Sequence, residues 1–203
     1  MKNIMMATLS LILILTSTAK AADEAPYESF FTKKQKINAD GTEIYKSNYE
    51  LKQNKRIGAG LAVGGVSGVL GVSAELNLAP AETLVIGMGT GPSYGTFNLQ
   101  GKYNFEAEYL TPFVKLGYSK WFSSGTIPST AATSETLRQV YSEKDLRAGK
   151  FDASFAVASI GAEYNQLEGE LSGINFYGEF TLLTEVRTAS VIPSGALGII
   201  YFY

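Results

Sequence analysis

Two-residue alternation across residues 57–203 is the feature that most limits what this chain can become. In its cleanest stretch Phe97, Leu99, Tyr103 and Phe105 share one face of an extended strand, while Asn98, Gln100, Lys102, Asn104 and Glu106 share the other. Successive side chains of a strand point to opposite sides, so this segment has one apolar and one polar surface. The same texture recurs in eight segments, separated by clusters of Gly, Pro, Ser and Asn.

The first segment sets Ile57, Ala59, Leu61 and Val63 against Gly58, Gly60 and Ala62. The second sets Leu70, Val72, Ala74, Leu76 and Leu78 against Gly71, Ser73, Glu75 and Asn77, and the third carries Leu84, Ile86 and Met88 on one side. After the stretch at Phe97 the fifth offers Leu110, Val114, Leu116 and Tyr118 against Thr111, Lys115 and Ser119. Pro112 lacks an amide hydrogen and belongs near that strand's beginning. The sixth places Ala156, Ala158, Ile160, Ala162 and Tyr164 opposite Ser159, Gly161 and Glu163. The seventh places Ile174, Phe176, Phe180 and Leu182 opposite Asn175, Tyr177, Glu179, Thr181 and Glu185, and the last ends on Leu197, Ile199, Tyr201 and Tyr203. Gly60, Gly64 and Gly68 also fit the GxxxG spacing of paired apolar helices. A hairpin end at Gly64-Gly65 and Ser67-Gly68 is the competing reading, and the alternation that follows favours it.

After residue 21 no run approaches the 18 or so apolar residues of a membrane-spanning helix. A strand set with one apolar and one polar face can still cross lipid if it closes, because closure satisfies every backbone polar group. The fold class expected is therefore all-β: a transmembrane antiparallel up-and-down β-barrel of about eight strands. Ten strands is the alternative if residues 42–51 add a hairpin. Bacterial barrels keep long loops outside and short turns in the periplasm. The polar stretch 123–150 falls on the outer side, and the short turns near Pro80, Ala107 and Gly169 fall on the other. Ser142-Glu143-Lys144-Asp145 has the spacing of a capping box and predicts a short surface helix near 137–146. With this topology Tyr103, Phe105, Tyr109, Tyr164, Phe176, Tyr201 and Tyr203 gather at the periplasmic rim. Phe97, Tyr118, Phe122 and Phe151 gather at the outer rim, giving two aromatic girdles.

Residues 1–21 have the plan of a secretory signal. Lys2 precedes an apolar run from Ile4 to Leu15, and Ala19-Lys20-Ala21 supplies a small-residue cleavage site after Ala21. Residues 22–56 are polar and mixed in charge, and read as a hydrated periplasmic arm. Without cysteine there is neither a disulfide framework nor a lipoprotein-type leader. Loss of Lys2 and Lys20 with the leader takes the formal charge from −2 to about −4, which argues against a nucleic-acid partner. The absence of histidine removes serine triads and most zinc sites. No catalytic residue, metal ligand or cofactor is nominated, and no enzyme is expected.

The final residues, Leu197 to Tyr203, alternate apolar side chains and end on an aromatic. Leu197, Ile199, Tyr201 and Tyr203 resemble the C-terminal signal that outer-membrane barrels present to the barrel assembly machinery. Across 57–203 the chain resembles, in architecture, the small bacterial outer-membrane barrels, the class that includes the OmpA-, OmpX- and OmpW-like proteins. That resemblance implies residence in the bacterial outer membrane and contact with its lipid and lipopolysaccharide; the sequence does not fix the oligomeric state, and a monomer is favoured.

An eight-stranded barrel is just wide enough inside to be filled by side chains or to hold one small ligand. The inward set comprises Glu75, Lys102, Glu106, Lys115, Glu163, Glu179 and Glu185, with Asn98, Gln100, Asn104, Asn175 and Tyr177. Five carboxylates against two lysines predict an acidic excess. Bulky inward residues, Phe113, Phe155, Tyr177, Leu183 and Phe202, argue against an open path. The function expected is a structural and interaction scaffold of the envelope with a side-chain-filled polar lumen. A narrow porin-like channel for small or cationic solutes is the alternative, through the acidic lumen. A lipid-modifying barrel enzyme comes third, since similar barrels of that kind rely on a histidine. Lys120, Arg138, Lys144, Arg147 and Lys150 are the candidate contacts to lipopolysaccharide phosphates.

Overall fold

A computed structural model of the chain describes Ile37, residues 41–124 and residues 134–203. The leader, its cleavage site and the first part of the arm lie outside the described residues. Eight strands follow in chain order: β1 Ile57–Gly64, β2 Leu70–Asn77, β3 Glu82–Gly91, β4 Tyr94–Asn104, β5 Leu110–Ser123, β6 Asp152–Asn165, β7 Ile174–Glu185 and β8 Val191–Phe202. Each pairs antiparallel with the next, and β8 returns to β1 with Ala59 opposite Tyr201 and Leu61 opposite Ile199. The sheet is thus a closed up-and-down barrel without a free edge. The rim where β1 begins and β8 ends is termed the inner rim, and the opposite one the outer rim.

Alternation decides which side chains meet lipid. Leu61, Val72, Met88, Leu99, Leu116, Ile160, Phe180 and Leu197, drawn from all eight strands, are exposed on the outside. A soluble protein rarely exposes a continuous apolar surface of this kind, so the belt is the lipid-facing wall of a transmembrane barrel. Tyr103, Phe105, Tyr109, Tyr164, Phe176, Tyr201 and Tyr203 are exposed around the inner rim, several in aromatic pairs. Phe97, Tyr118 and Phe122 are exposed toward the outer rim. Phe151 corrects the expectation: it is buried among the residues that fill the outer mouth, beside Tyr141.

The glycine-spaced run is a strand end and a turn. Gly64, Gly65 and Gly68 have φ of 84°, 60° and 75° around a 3-10 turn at Gly65–Ser67, a backbone that side chains disfavour. Residues 42–51 add no strand, so the count among the described residues is eight. Instead α1, Asn48–Asn54, forms there, with the Ser47 hydroxyl accepting from the Glu50 amide. Among the described residues of the long outer connection two short helices, α2 Glu135–Arg138 and α3 Glu143–Arg147, replace the single helix expected. Ser142 caps α3 by accepting from the Asp145 amide, as its spacing implied. These helices do not lie free on the surface, because Leu137 and Leu146 are fully buried in the outer mouth.

Candidate functional site

Five strands each deliver one charged side chain to the middle of the lumen: Glu75 from β2, Lys102 from β4, Lys115 from β5, Glu163 from β6 and Glu179 from β7. Lys102 and Lys115 are cross-strand partners, a like-charge pairing that is unfavourable unless each lysine is neutralised. Lys102 Nζ lies 3.2 Å from Glu75 Oε2 and 2.5 Å from Glu163 Oε2, while Lys115 Nζ lies 2.7 Å from Glu179 Oε2. The Phe113 ring centre lies 4.7 Å from Lys102 Nζ and 4.9 Å from Lys115 Nζ, and that of Tyr177 4.7 Å from Lys115 Nζ. Each aromatic face offers its negative quadrupole to a desolvated cation. Small neighbours make this fit. A Cβ at Gly161 would come within 2.5 Å of the Phe113 ring, and one at Gly198 within 2.4 Å of the Tyr177 ring.

A third lysine completes the arrangement. Lys52 of α1 enters from the inner mouth, with Nζ 2.6 Å from Glu163 Oε1 and 2.7 Å from Asn104 Oδ1, and 5.5 Å above the Phe202 ring. Both Lys52 and Glu163 are fully buried at their side chains. This contradicts the expectation of a hydrated arm, at least from residue 43 onward. The segment is stitched across the inner mouth. Tyr45 N donates to Leu167 O, Gly169 N to Glu43 O, Asn48 Nδ2 to Phe105 O and Tyr49 Oη to Asn104 O, at 2.9, 3.2, 3.0 and 2.9 Å. Lys55 Nζ reaches Ser172 O at 2.8 Å and Glu43 Oε2 at 2.9 Å. Burial works against the Glu43 carboxylate, but hydrogen bonds from Lys55, Tyr45 and Ser172 win and hold its pKa below the ordinary value. Burial, helped by that carboxylate, pushes the Tyr45 phenol up, so it remains a donor. The readable signal for α1 was Ser47-x-x-Glu50, another capping-box spacing. No local signal marked Lys52 as a lumen residue.

Two predicted lumen carboxylates sit elsewhere. Glu106 follows the end of β4 and is exposed, because the strand stops at Asn104 before the alternation can bring it inward. Glu185 is buried, but one of its oxygens accepts from Arg187 N at 2.7 Å, Thr188 N at 2.5 Å and Thr188 Oγ1 at 2.9 Å. It caps the turn between β7 and β8. Among the described residues the central lumen therefore holds Lys52, Lys102 and Lys115 against Glu75, Glu163 and Glu179. The predicted acidic excess is replaced by balance.

Below this network the inner mouth is closed by amides and hydroxyls: Asn175 Nδ2 donates to Asn165 Oδ1, Asn165 Nδ2 to Thr111 Oγ1, and Asn104 Nδ2 to Thr83 Oγ1. Above it a cavity of about 20 Å³, touched by Ser73, Glu75, Asn98, Gln100, Lys115 and Glu179, has room for about one water. At the outer mouth an apolar cluster lies under a cavity of about 240 Å³ that Ser134, Glu135, Thr136 and Ser194 also line. Tyr94 stacks on Trp121 at 5.0 Å, and Phe155, Leu183, Leu137 and Leu146 are packed in the same cluster.

The remaining predicted sites lie on the surface. At the outer end Lys120 pairs with Asp152 at 3.3 Å, Arg138 with Glu135 at 3.4 Å, and Arg147 with Glu143. Lys144 and Lys150 are exposed there. Leu197, Tyr201 and Tyr203 are exposed and Ile199 half-buried on the lipid side of the strand that closes the barrel.

No protein-family model matches the chain, and no curated protein sequence matches it. Among solved structures, the N-terminal β-barrel domain of Pseudomonas aeruginosa OprF aligns with 73% of this chain and 98% of its own, with TM-score 0.52 and 11% identity. Ail of Yersinia pestis in a phospholipid nanodisc aligns over 73% of this chain and 99% of its own, at TM-score 0.41 and 5% identity. Neisserial surface protein A aligns over 73% and 95%, at TM-score 0.35 and 10% identity. The OprF alignment speaks to the fold, a closed up-and-down β-barrel.

Proposed function

We propose that the chain is a scaffold of the bacterial outer membrane: a membrane-embedded barrel with a closed lumen that presents its outer loop to the cell exterior. The observation that carries this reading is the content of the lumen. Three lysines and three glutamates neutralise one another at its centre, α1 crosses one mouth, and an aromatic and leucine cluster packs in the other, beneath a cavity of about 240 Å³ that Tyr94 and Trp121 line. Charged rings conduct when they are hydrated and leave room for the ion; here the space between them takes about one water. At the outer end Lys144 and Lys150 are the stronger candidates for lipopolysaccharide phosphates, since Lys120, Arg138 and Arg147 already face carboxylates of this chain. Leu197, Ile199, Tyr201 and Tyr203 would serve the assembly machinery as the outward edge of β8 before it pairs with β1. Periplasmic placement of the inner rim, cleavage after Ala21 and a monomeric state belong to the same proposal.

The test is single-channel recording in planar bilayers from refolded protein with the gel-mobility shift of a folded barrel. A closed scaffold gives no stable steps. Regular steps with cation preference, abolished in a Glu75→Gln, Glu163→Gln, Glu179→Gln variant, would replace the scaffold with a channel.

A further inference from the structure

The acceptors around Lys52 Nζ are fixed by the barrel and not by the segment that carries the lysine. The second oxygen of Glu163 is held by Lys102 at 2.5 Å, and Asn175 Nδ2 donates to Glu163 Oε1 at 3.3 Å while being pinned through Asn165 Oδ1 at 2.7 Å. Asn104 uses its amide nitrogen on Thr83 Oγ1 at 3.1 Å and Ala81 O at 3.2 Å, which leaves its oxygen aimed at the ammonium. The Phe202 ring belongs to β8. Every one of these groups is strand-borne or held by strand residues. By contrast α1 is a helix of seven residues; isolated helices that short are unstable in water, so its place depends on the mouth it covers.

From this asymmetry we infer that the inner mouth of the barrel contains a preformed primary-ammonium site, built from Glu163, Asn104 and Phe202, that the chain fills with its own Lys52. The ligand class is a slender primary alkylammonium ion. A primary ammonium carries three donors and no acceptor, which matches two buried oxygen acceptors and one aromatic face. A quaternary ammonium has the charge but no N–H, and leaves both oxygens unmatched. With Lys52 withdrawn, Glu75, Glu163 and Glu179 face Lys102 and Lys115 alone, and the lumen regains the negative charge that attracts such a cation. The helix is then a removable stopper whose hold is set by competition for this site. This inference requires the mouth geometry only, and stands whether the barrel conducts or not.

The experiment is chemical rescue in the full refolded chain. Thermal unfolding of Lys52→Ala is followed by the gel-mobility shift, in n-propylammonium chloride and in tetramethylammonium chloride at equal ionic strength. The variant should melt below wild type. Propylammonium should raise its midpoint and saturate in the millimolar range expected of so small a ligand, while tetramethylammonium should not. Lys52→Met keeps the stem in place, so it should melt low and stay unresponsive; Lys52→Ala, Glu163→Gln should also fail to respond to propylammonium. Equal responses of Lys52→Ala to the two salts would reduce the effect to screening and overturn the site. A wild-type midpoint for Lys52→Met, or a Lys52→Ala chain that remains unfolded even in propylammonium, would overturn it as well.

Discussion

Glu163→Gln is the perturbation that most directly tests how this lumen is held together. The carboxylate is fully buried and is shared by two ammonium groups, Lys52 at 2.6 Å and Lys102 at 2.5 Å. Glutamine preserves the shape and one acceptor but removes the charge. Lys102 retains Glu75 at 3.2 Å, whereas buried Lys52 is left with neutral acceptors, Asn104 and the glutamine carbonyl. Removing one member of a buried pair costs about 3–5 kcal/mol, because the other charge stays buried and uncompensated. An exposed pair such as Arg147 with Glu143 contributes at most about 1 kcal/mol. In a urea titration of refolded protein, Glu163→Gln should therefore lower the folded-to-unfolded ratio by roughly two to three and a half powers of ten. Glu143→Gln should stay within one. Trp121 is the single tryptophan and is buried in the outer mouth, so its fluorescence reports the transition without labelling. If the two variants shift the midpoint equally, Glu163 is solvated and the account of a closed, charge-matched lumen is wrong.

Three further outcomes follow from the same structure. Leu146→Ala should remove about 2–5 kcal/mol of packing beneath α3; trypsin should then cut faster at Arg147 and Lys150, with the barrel's gel-mobility shift retained. Docking of residues 43–55 should weaken in acid. Because Glu43 has a lowered pKa in the folded state, its stabilisation is present above the ordinary carboxylate value and is lost as pH falls through the lowered one, from about pH 5 downward. Hydrogen exchange at the Gly169 amide, which donates to Glu43 O, should gain protection between acid and neutral pH, and Glu43→Gln should flatten that change. Leu99→Lys, at the middle of β4 on the lipid face, should cost about 2–4 kcal/mol in bilayers, against about 0–1 kcal/mol for Tyr103→Lys near the rim; equal costs would mean that the belt is not where lipid lies.

Much of the barrel was legible because its governing variable is local. A strand's side chains alternate whatever lies beyond it, so Phe97 and Asn98 declare outside and inside without knowledge of their neighbours. The same reasoning located the turn at Gly64 to Gly68 and the cap at Ser142. It failed where an element ended rather than where it ran. Glu106 continues the pattern of β4 in sequence, but the chain leaves the sheet after Asn104 and the pattern no longer has a face to act on. Phe151 failed for a related reason, since it lies just before β6 and turns into the outer mouth instead of toward lipid.

The sequence by itself determined that this chain closes a sheet between an apolar outside and a polar inside. Alternation, strand number and the absence of a long apolar run leave few other ways to satisfy the backbone. What only the tertiary structure decided is the charge of that inside. Lys52 and Glu163 are 111 residues apart, and on the one-dimensional chain Lys52 is one of several lysines in a polar stretch, indistinguishable from Lys46, which is exposed. Its role appears when closure brings the inner mouth over α1, because burial strips the ammonium of its hydration, and only that enclosed, oriented set of acceptors around the carboxylate shared with Lys102 opposes the loss.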